Sequence, residues 1–245
     1  MLVDYLSYPS GEEWRKIAGE ISLNKLSVEI NFPSPTKAID LIVSQERKDW
    51  LMLFNNRLGE VRQTYIFLTH YYNMGIPDDN WHKSPGDNGE SIQYYTEFED
   101  KHYYIKHMYD YYADILYFKF ISAWDTLSHF YNVYYEFKIS IKYISRYKVL
   151  DRIEKINPDL YECIRGVQDS EAFNKFIEQR NDITHNFSPS QIDSGIKRYN
   201  NGSAAFSIGK YTTTRERQNN IVEVIKMTIK FLDEIKIIFE RHTVK

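Results

Sequence analysis

Arg180, Asn181 and His185 lie within FNKFIEQRNDITHNFSP, the segment from Phe173 to Pro189. Together they offer a fixed positive charge, an amide and a group that exchanges protons near neutral pH. Each residue of a helix turns about 100°, so Asn181 and His185 fall within about 40° of one another. Arg180 is set off by one step, yet its side chain is long enough to reach the same spot. The helix is read from a stripe of Phe173, Phe176, Ile177, Thr184 and Phe187, with Arg180 at its centre. A guanidinium cannot shed its charge, so facing one inward requires a carboxylate or several acceptors. A salt bridge between two helices, or a side chain snorkelling to water, would satisfy that requirement without any chemistry.

A carboxylate of the right kind stands on an earlier helix. Asp125, Ser128, His129 and Asn132 recur at i, i+3, i+4 and i+7, a polar strip flanked by Ile121, Trp124, Leu127 and Tyr131. It reads either as a solvated helix edge or as a partly buried seam, and Asp125 is the candidate counter-ion for Arg180. Beyond it Lys138, Lys142 and Arg146 recur every four residues, with Lys148 and Arg152 behind and Tyr143 and Tyr147 interleaved. No acid interrupts Lys138 to Leu150. Such a helix face suits phosphates and stacked bases, and equally suits a solvated surface. Lys197, Arg198, Lys210, Arg215 and Arg217 make the stretch after the motif locally basic, as an RNA guide or as a linker.

The elements that must position these residues are helical almost throughout. Ser10 to Glu13 forms a capping box ahead of a short helix carrying Trp14, Ile17 and Ile21. Ser34-Pro35 reads as a cap with proline at the first helical position. A long helix from about Gln45 to Asn73 carries Trp50, Phe54, Leu58, Val61, Tyr65, Leu68 and Tyr72 in steps of three and four. The Gly-, Pro-, Asp- and Asn-rich stretch from Gly75 to Glu90 is a loop. A second long helix, Thr96 to Phe137, carries Leu116, Phe120, Trp124, Leu127, Tyr131 and Tyr134, and should lie antiparallel to the first. Asn157-Pro158 opens a short helix ending near Gly166. Ser170 opens the motif helix, which Pro189 ends. An irregular segment with a hairpin turn at YNNGS precedes a last helix, Arg215 to Arg241, with Ile221, Ile225, Thr228, Leu232, Ile235 and Phe239 on one face. The expectation is an all-α, up-and-down helical bundle over residues 45–245, preceded by a helical extension over 1–44.

Several chemistries find no support. His102 and His107 are five apart, on different sides of a helix, and His82 sits in an acidic loop without the calcium-loop pattern, so no metal site is expected. No phosphate-binding glycine loop is present and no cofactor is expected. A single cysteine, Cys163, excludes an intrachain disulfide framework and reads as a core residue. With a net charge of -3 the chain does not attract nucleic acid globally, so any RNA contact must be local. No apolar run approaches a membrane span, and Asp4 and Glu12 argue against a signal peptide, so a soluble, cytoplasmic protein is expected. Aromatic content is 16%, with 21 tyrosines, which suits helix faces that meet another chain.

RNDITH resembles the Arg-x(4–6)-His signature of HEPN domains, in which a polar residue, often Asn, follows the Arg. AWDTLSHFYN is similar to the acid-bearing helix that precedes the motif in that family. The resemblance runs from Gln45 to the C-terminus, whereas the preceding residues have no family counterpart. It implies a HEPN-type bundle and a metal-independent endoribonuclease in which the RNA 2′-hydroxyl attacks the adjacent phosphate. In that setting His185 is the general base or acid and Arg180 stabilises the transition state. Asn181 orients the phosphate or the imidazole, and Asp125 holds Arg180. Lys138, Lys142, Arg146 and Tyr143 are the candidate RNA-binding residues. The resemblance further implies a homodimer with two motifs facing one cleft, a toxin–antitoxin or phage-defence setting, and an antitoxin or other regulatory protein. Some members carry a Tyr two residues after the His, modified by a nucleotidyltransferase; Phe187 stands here, with no hydroxyl to modify. The alternatives are an inactive RNA-binding or protein-interaction module and a purely structural bundle.

Overall fold

The computed structural model describes residues 6–32 and 38–243. The Ser34-Pro35 cap lies outside the described residues. Seven α-helices are described: α1 Gly11–Glu20, α2 Ala38–Asn73, α3 Asp100–Tyr134, α4 Arg146–Ile156, α5 Pro158–Gln168, α6 Glu171–His185 and α7 Thr214–Thr243. Two short hairpins, β1 His82–Lys83 with β2 Gln93–Tyr94 and β3 Ile196–Arg198 with β4 Ala204–Phe206, decorate the loops. The second turns through Tyr199 to Gly202, at the YNNGS sequence, with Gly202 at φ 81°. No helix among the described residues is long and apolar enough to cross a membrane.

The two long helices form the antiparallel pair that their stripes require. Arg47 of α2 meets the Tyr134 carbonyl of α3, Glu60 meets Lys119, Phe67 stacks on Tyr112, and Tyr72 packs on Tyr109. At 36 and 35 residues each helix is about 50 Å long. α7 runs parallel to α3: the Tyr109 hydroxyl donates to the Thr214 carbonyl near one end, and Phe130 packs on Phe239 near the other. All six residues of the α7 stripe are buried, as are most of those on α2 and α3. Trp124 ties three helices together, with ring centroids 5.2 Å from Phe173 of α6 and 5.0 Å from Phe231 of α7.

Side-chain caps mark the helix starts. Ser10, Ser145, Asn157 and Ser170 each accept the backbone N–H three residues on, satisfying a donor the helix leaves unpaired. α2 begins at Ala38, earlier than its stripe, so it runs through the 44/45 boundary. α3 begins at Asp100, where Glu99 and His102 form a reciprocal box, and ends at Tyr134. The α7 start is served from a distance. Buried Asp78 accepts from the Thr214 N–H at 2.9 Å and its hydroxyl at 2.7 Å, which fastens the Gly75–Glu90 loop to the last helix.

One helical expectation fails. Lys138, Lys142 and Arg146 do not share a helix face, because the chain leaves α3 at Tyr135, passes through a short 3-10 turn at Ile141–Tyr143, and re-enters a helix only at Arg146. Buried Asn132 causes the break. Its side chain donates to the Ile139 carbonyl at 3.1 Å and accepts the Ile139 N–H at 3.0 Å, replacing the helical bonds that would continue α3.

Candidate active site

α6 delivers the motif by packing its first half on α3 and letting its second half run past the core. Ala172, Phe173, Phe176 and Gln179 are buried, and Tyr117 donates its hydroxyl to the Gln179 carbonyl oxygen. Thr184 and Phe187 are exposed, so the apolar stripe expected around Arg180 ends one turn before it. The arginine therefore stands at the rim of the bundle rather than in its core.

At that rim the guanidinium lies over the Phe118 ring, 5.6 Å from its centroid. Its Nη1 donates to Asn181 Oδ1 at 3.1 Å, while Nε is buried without a hydrogen-bond partner among the described residues. The Thr184 hydroxyl donates back to the Arg180 carbonyl at 3.0 Å, within the same last turns. Asn181 and His185 are both exposed, one helical turn apart. The contact joins half-buried Arg180 to an exposed amide whose neighbour one turn on is the exposed imidazole of His185.

Asp125 does not hold Arg180. It is exposed and meets Arg146 Nε at 3.5 Å. The reason is axial register: Phe118, which Arg180 covers, lies seven residues before Asp125, about 10 Å along α3. Of the rest of that polar strip, Ser128 and Asn132 are buried, and His129 stacks on Trp50 with centroids 4.7 Å apart, its pKa lowered by burial. The acid nearest to Phe118 along α3 is Asp114, with Asp110 one turn beyond it. Asp114 shares a face of α3 with Phe118, one turn away, and its Oδ1 is buried without a hydrogen-bond partner among the described residues. Burial, with Asp110 alongside, pushes its carboxyl up to about 6, against the opposing pull of Arg217 and Lys106. Asp110 is engaged by fully buried Arg217 of α7 and by Lys106 Nζ at 2.6 Å.

Sequence reasoning missed these acids. The readable signal was the spacing Lys106, Asp110, Asp114, a polar file of four-residue steps running beside buried Tyr109, Ala113 and Tyr117. Arg217 was visible only as one of several cations in a basic stretch.

The candidate RNA-binding residues lie elsewhere. Lys142 and Tyr143 are exposed beyond the end of α3, Lys138 stands in the turn before them, and Arg146 is taken up by Asp125. From Phe118 to Tyr134 is sixteen residues of α3, so Lys138, Lys142 and Tyr143 sit about 24 Å from the level of Arg180 along the bundle, while Arg146 stands level with Asp125. A cavity of about 390 Å³ adjoins the motif helix, lined by Lys175, Glu178, Gln179, Asp182 and Asn186 against Lys210 and Tyr211. Neither Arg180 nor His185 lines it. Among the described residues no three His, Cys, Asp or Glu side chains are grouped to hold a metal ion.

A bundle of long antiparallel helices with an Arg-Asn-x(3)-His sequence at the exposed end of its penultimate helix is the architecture of a HEPN domain. The sequence pattern of the Cthe2314-like HEPN family matches residues 50–242, and the chain belongs to that family. No curated protein and no solved structure gives a match.

Proposed function

We propose that this chain is a metal-independent endoribonuclease that acts on cytoplasmic RNA. The observation that carries the reading is the Arg180–Asn181 contact, with His185 one turn on and exposed to solvent. The imidazole takes the proton of a ribose 2′-hydroxyl, whose oxygen bonds to the adjacent phosphorus as the bond to the 5′-oxygen breaks. Arg180 offsets the charge that accumulates on the phosphoryl oxygens, where a planar cation is worth most. Asn181 holds Arg180 through its carbonyl oxygen and keeps its NH₂ to donate to phosphate. The proton returned to the leaving 5′-oxygen comes from a second acid, for which a second copy of this chain is the proposed source.

The setting proposed is a toxin–antitoxin or phage-defence system with a protein regulator, and the regulator does not act by modifying Phe187. The test incubates wild type, Arg180→Ala and His185→Ala with mixed RNA in the presence of a chelator. Wild type should cut to 2′,3′-cyclic phosphate ends, with each variant slower by about a hundredfold or more. Equal cutting by all three, or none by wild type, sinks the proposal. A second reading, an RNA-binding module without cleavage, draws support from the separation between motif and basic residues, and predicts binding without cutting.

A further inference from the structure

The break after α3 builds a second site. Glu136 and Lys138 have φ of 52° and 55°, left-handed values that non-glycine residues rarely adopt and that persist only where the surroundings impose them. The Asn132 clamp on Ile139 imposes them here. Opposite this held turn stands one face of α4, on which Lys148, Asp151, Arg152 and Lys155 follow at i, i+3, i+4 and i+7. Between the two walls is a cleft of about 490 Å³, into which Lys138 and Tyr143 also contribute. Four cations line it against one carboxylate, and none of the four enters an ion pair among the described residues. Tyr143 is 58% exposed, and the amines of Lys142 and Lys148 lie 5.9 and 5.5 Å from its ring centroid.

We infer that this cleft is an exosite for single-stranded RNA, remote from the Arg180–His185 site. Like charges gathered in a concavity focus the field and repel one another until an anion enters. A chain of phosphates supplies several charges along the cleft, and the exposed tyrosine ring offers a face for a base beside them, as single-strand binders require. The role rests on the reading that this chain handles RNA. It adds a length requirement, since RNA cut at the motif must be long enough to reach the far end of α3 before the exosite contributes.

The experiment titrates a labelled single-stranded RNA of about 16 nucleotides against the full chain carrying His185→Ala, across a range of salt. Adding Lys148→Gln and Arg152→Gln should weaken binding at least tenfold. It should also lower the slope of log affinity against log salt by about 1.4, roughly 0.7 for each lost phosphate contact. Tyr143→Ala should cost about fivefold or more with the slope unchanged. Neutralising exposed Lys226 and Lys230 on α7 makes the same charge change elsewhere and should do neither. Unchanged affinity and slope in the cleft variant, or an equal loss in the α7 control, overturns the inference. So does a cleft variant that keeps RNA but no longer binds vesicles of anionic lipid, which assigns the surface to a membrane. The two readings fail separately: wild type that binds RNA through this cleft without cutting leaves the exosite standing. Cutting by a cleft variant with wild-type binding removes the exosite alone.

Discussion

Arg180 and His185 are five residues apart, so on an α-helix their Cβ atoms diverge by about 140°. Asn181 lies between them around the helix and accepts from the guanidinium. One turn before Phe118 on α3, the Asp114 Oδ1 is buried without a hydrogen-bond partner among the described residues. Asp114 carries a testable signature. Burial holds its carboxyl at about 6, so near pH 5 the native protein keeps a proton that the unfolded chain, titrating near 4, has lost. A raised acid contributes most at low pH, and its contribution falls as pH rises from about 4 to about 6. Asp114→Asn should remove that fall and raise the urea midpoint at pH 7. An unchanged or lower midpoint at pH 7 would mean that the ionised carboxylate is better served than its surroundings indicate.

The element that does most to shape the surface is the end of α3. A helix that continued to Phe137 and beyond would have arrayed Lys138, Lys142 and Arg146 along one solvated face. Asn132 ends it instead, by offering its amide to both polar groups of Ile139. Asn132→Ala leaves that N–H and carbonyl to find other partners at the edge of the core, at a cost of about 1–3 kcal/mol. Denaturant unfolding should show that loss, and RNA affinity at the cleft should weaken with it because Lys138 is no longer held. A variant as stable as wild type would show that packing of Tyr135 and Phe137, stacked at 5.6 Å, holds the turn alone.

For the whole molecule, the question is what covers the aromatic surface beside the motif. Tyr111 and Phe118 on α3 and Phe187 beyond α6 are 54%, 42% and 54% exposed. Tyr111 and Phe118 lie seven residues apart, hence on one side of the helix that also meets Arg180. A second copy docked there would bring two motifs together, as the proposed mechanism needs. Light scattering on the wild-type chain should give a dimer mass. Tyr111→Glu should give a monomer whose RNA cutting is lost while its helical circular dichroism is retained. A monomeric wild type, or a Tyr111→Glu dimer, removes this interface.

The long helices α2, α3 and α7, their inward stripes and the Arg-Asn-x(3)-His sequence were determined by residue order alone, because periodicity along one chain needs no partner to be read. The α7 stripe is buried throughout for that reason. Axial register was not legible. Asp114 and Asp125 are eleven residues apart, three helical turns, so they share a face of α3 and differ only in height by about 16 Å. Which of them stands level with Arg180 is decided by Phe173 and Phe176 seating against Trp124, Phe120 and Tyr117. The same limit applies to the basic cleft: charge spacing was visible in the chain, but a side-chain bond from Asn132 to a backbone seven residues on decided that those charges would face one another across a gap.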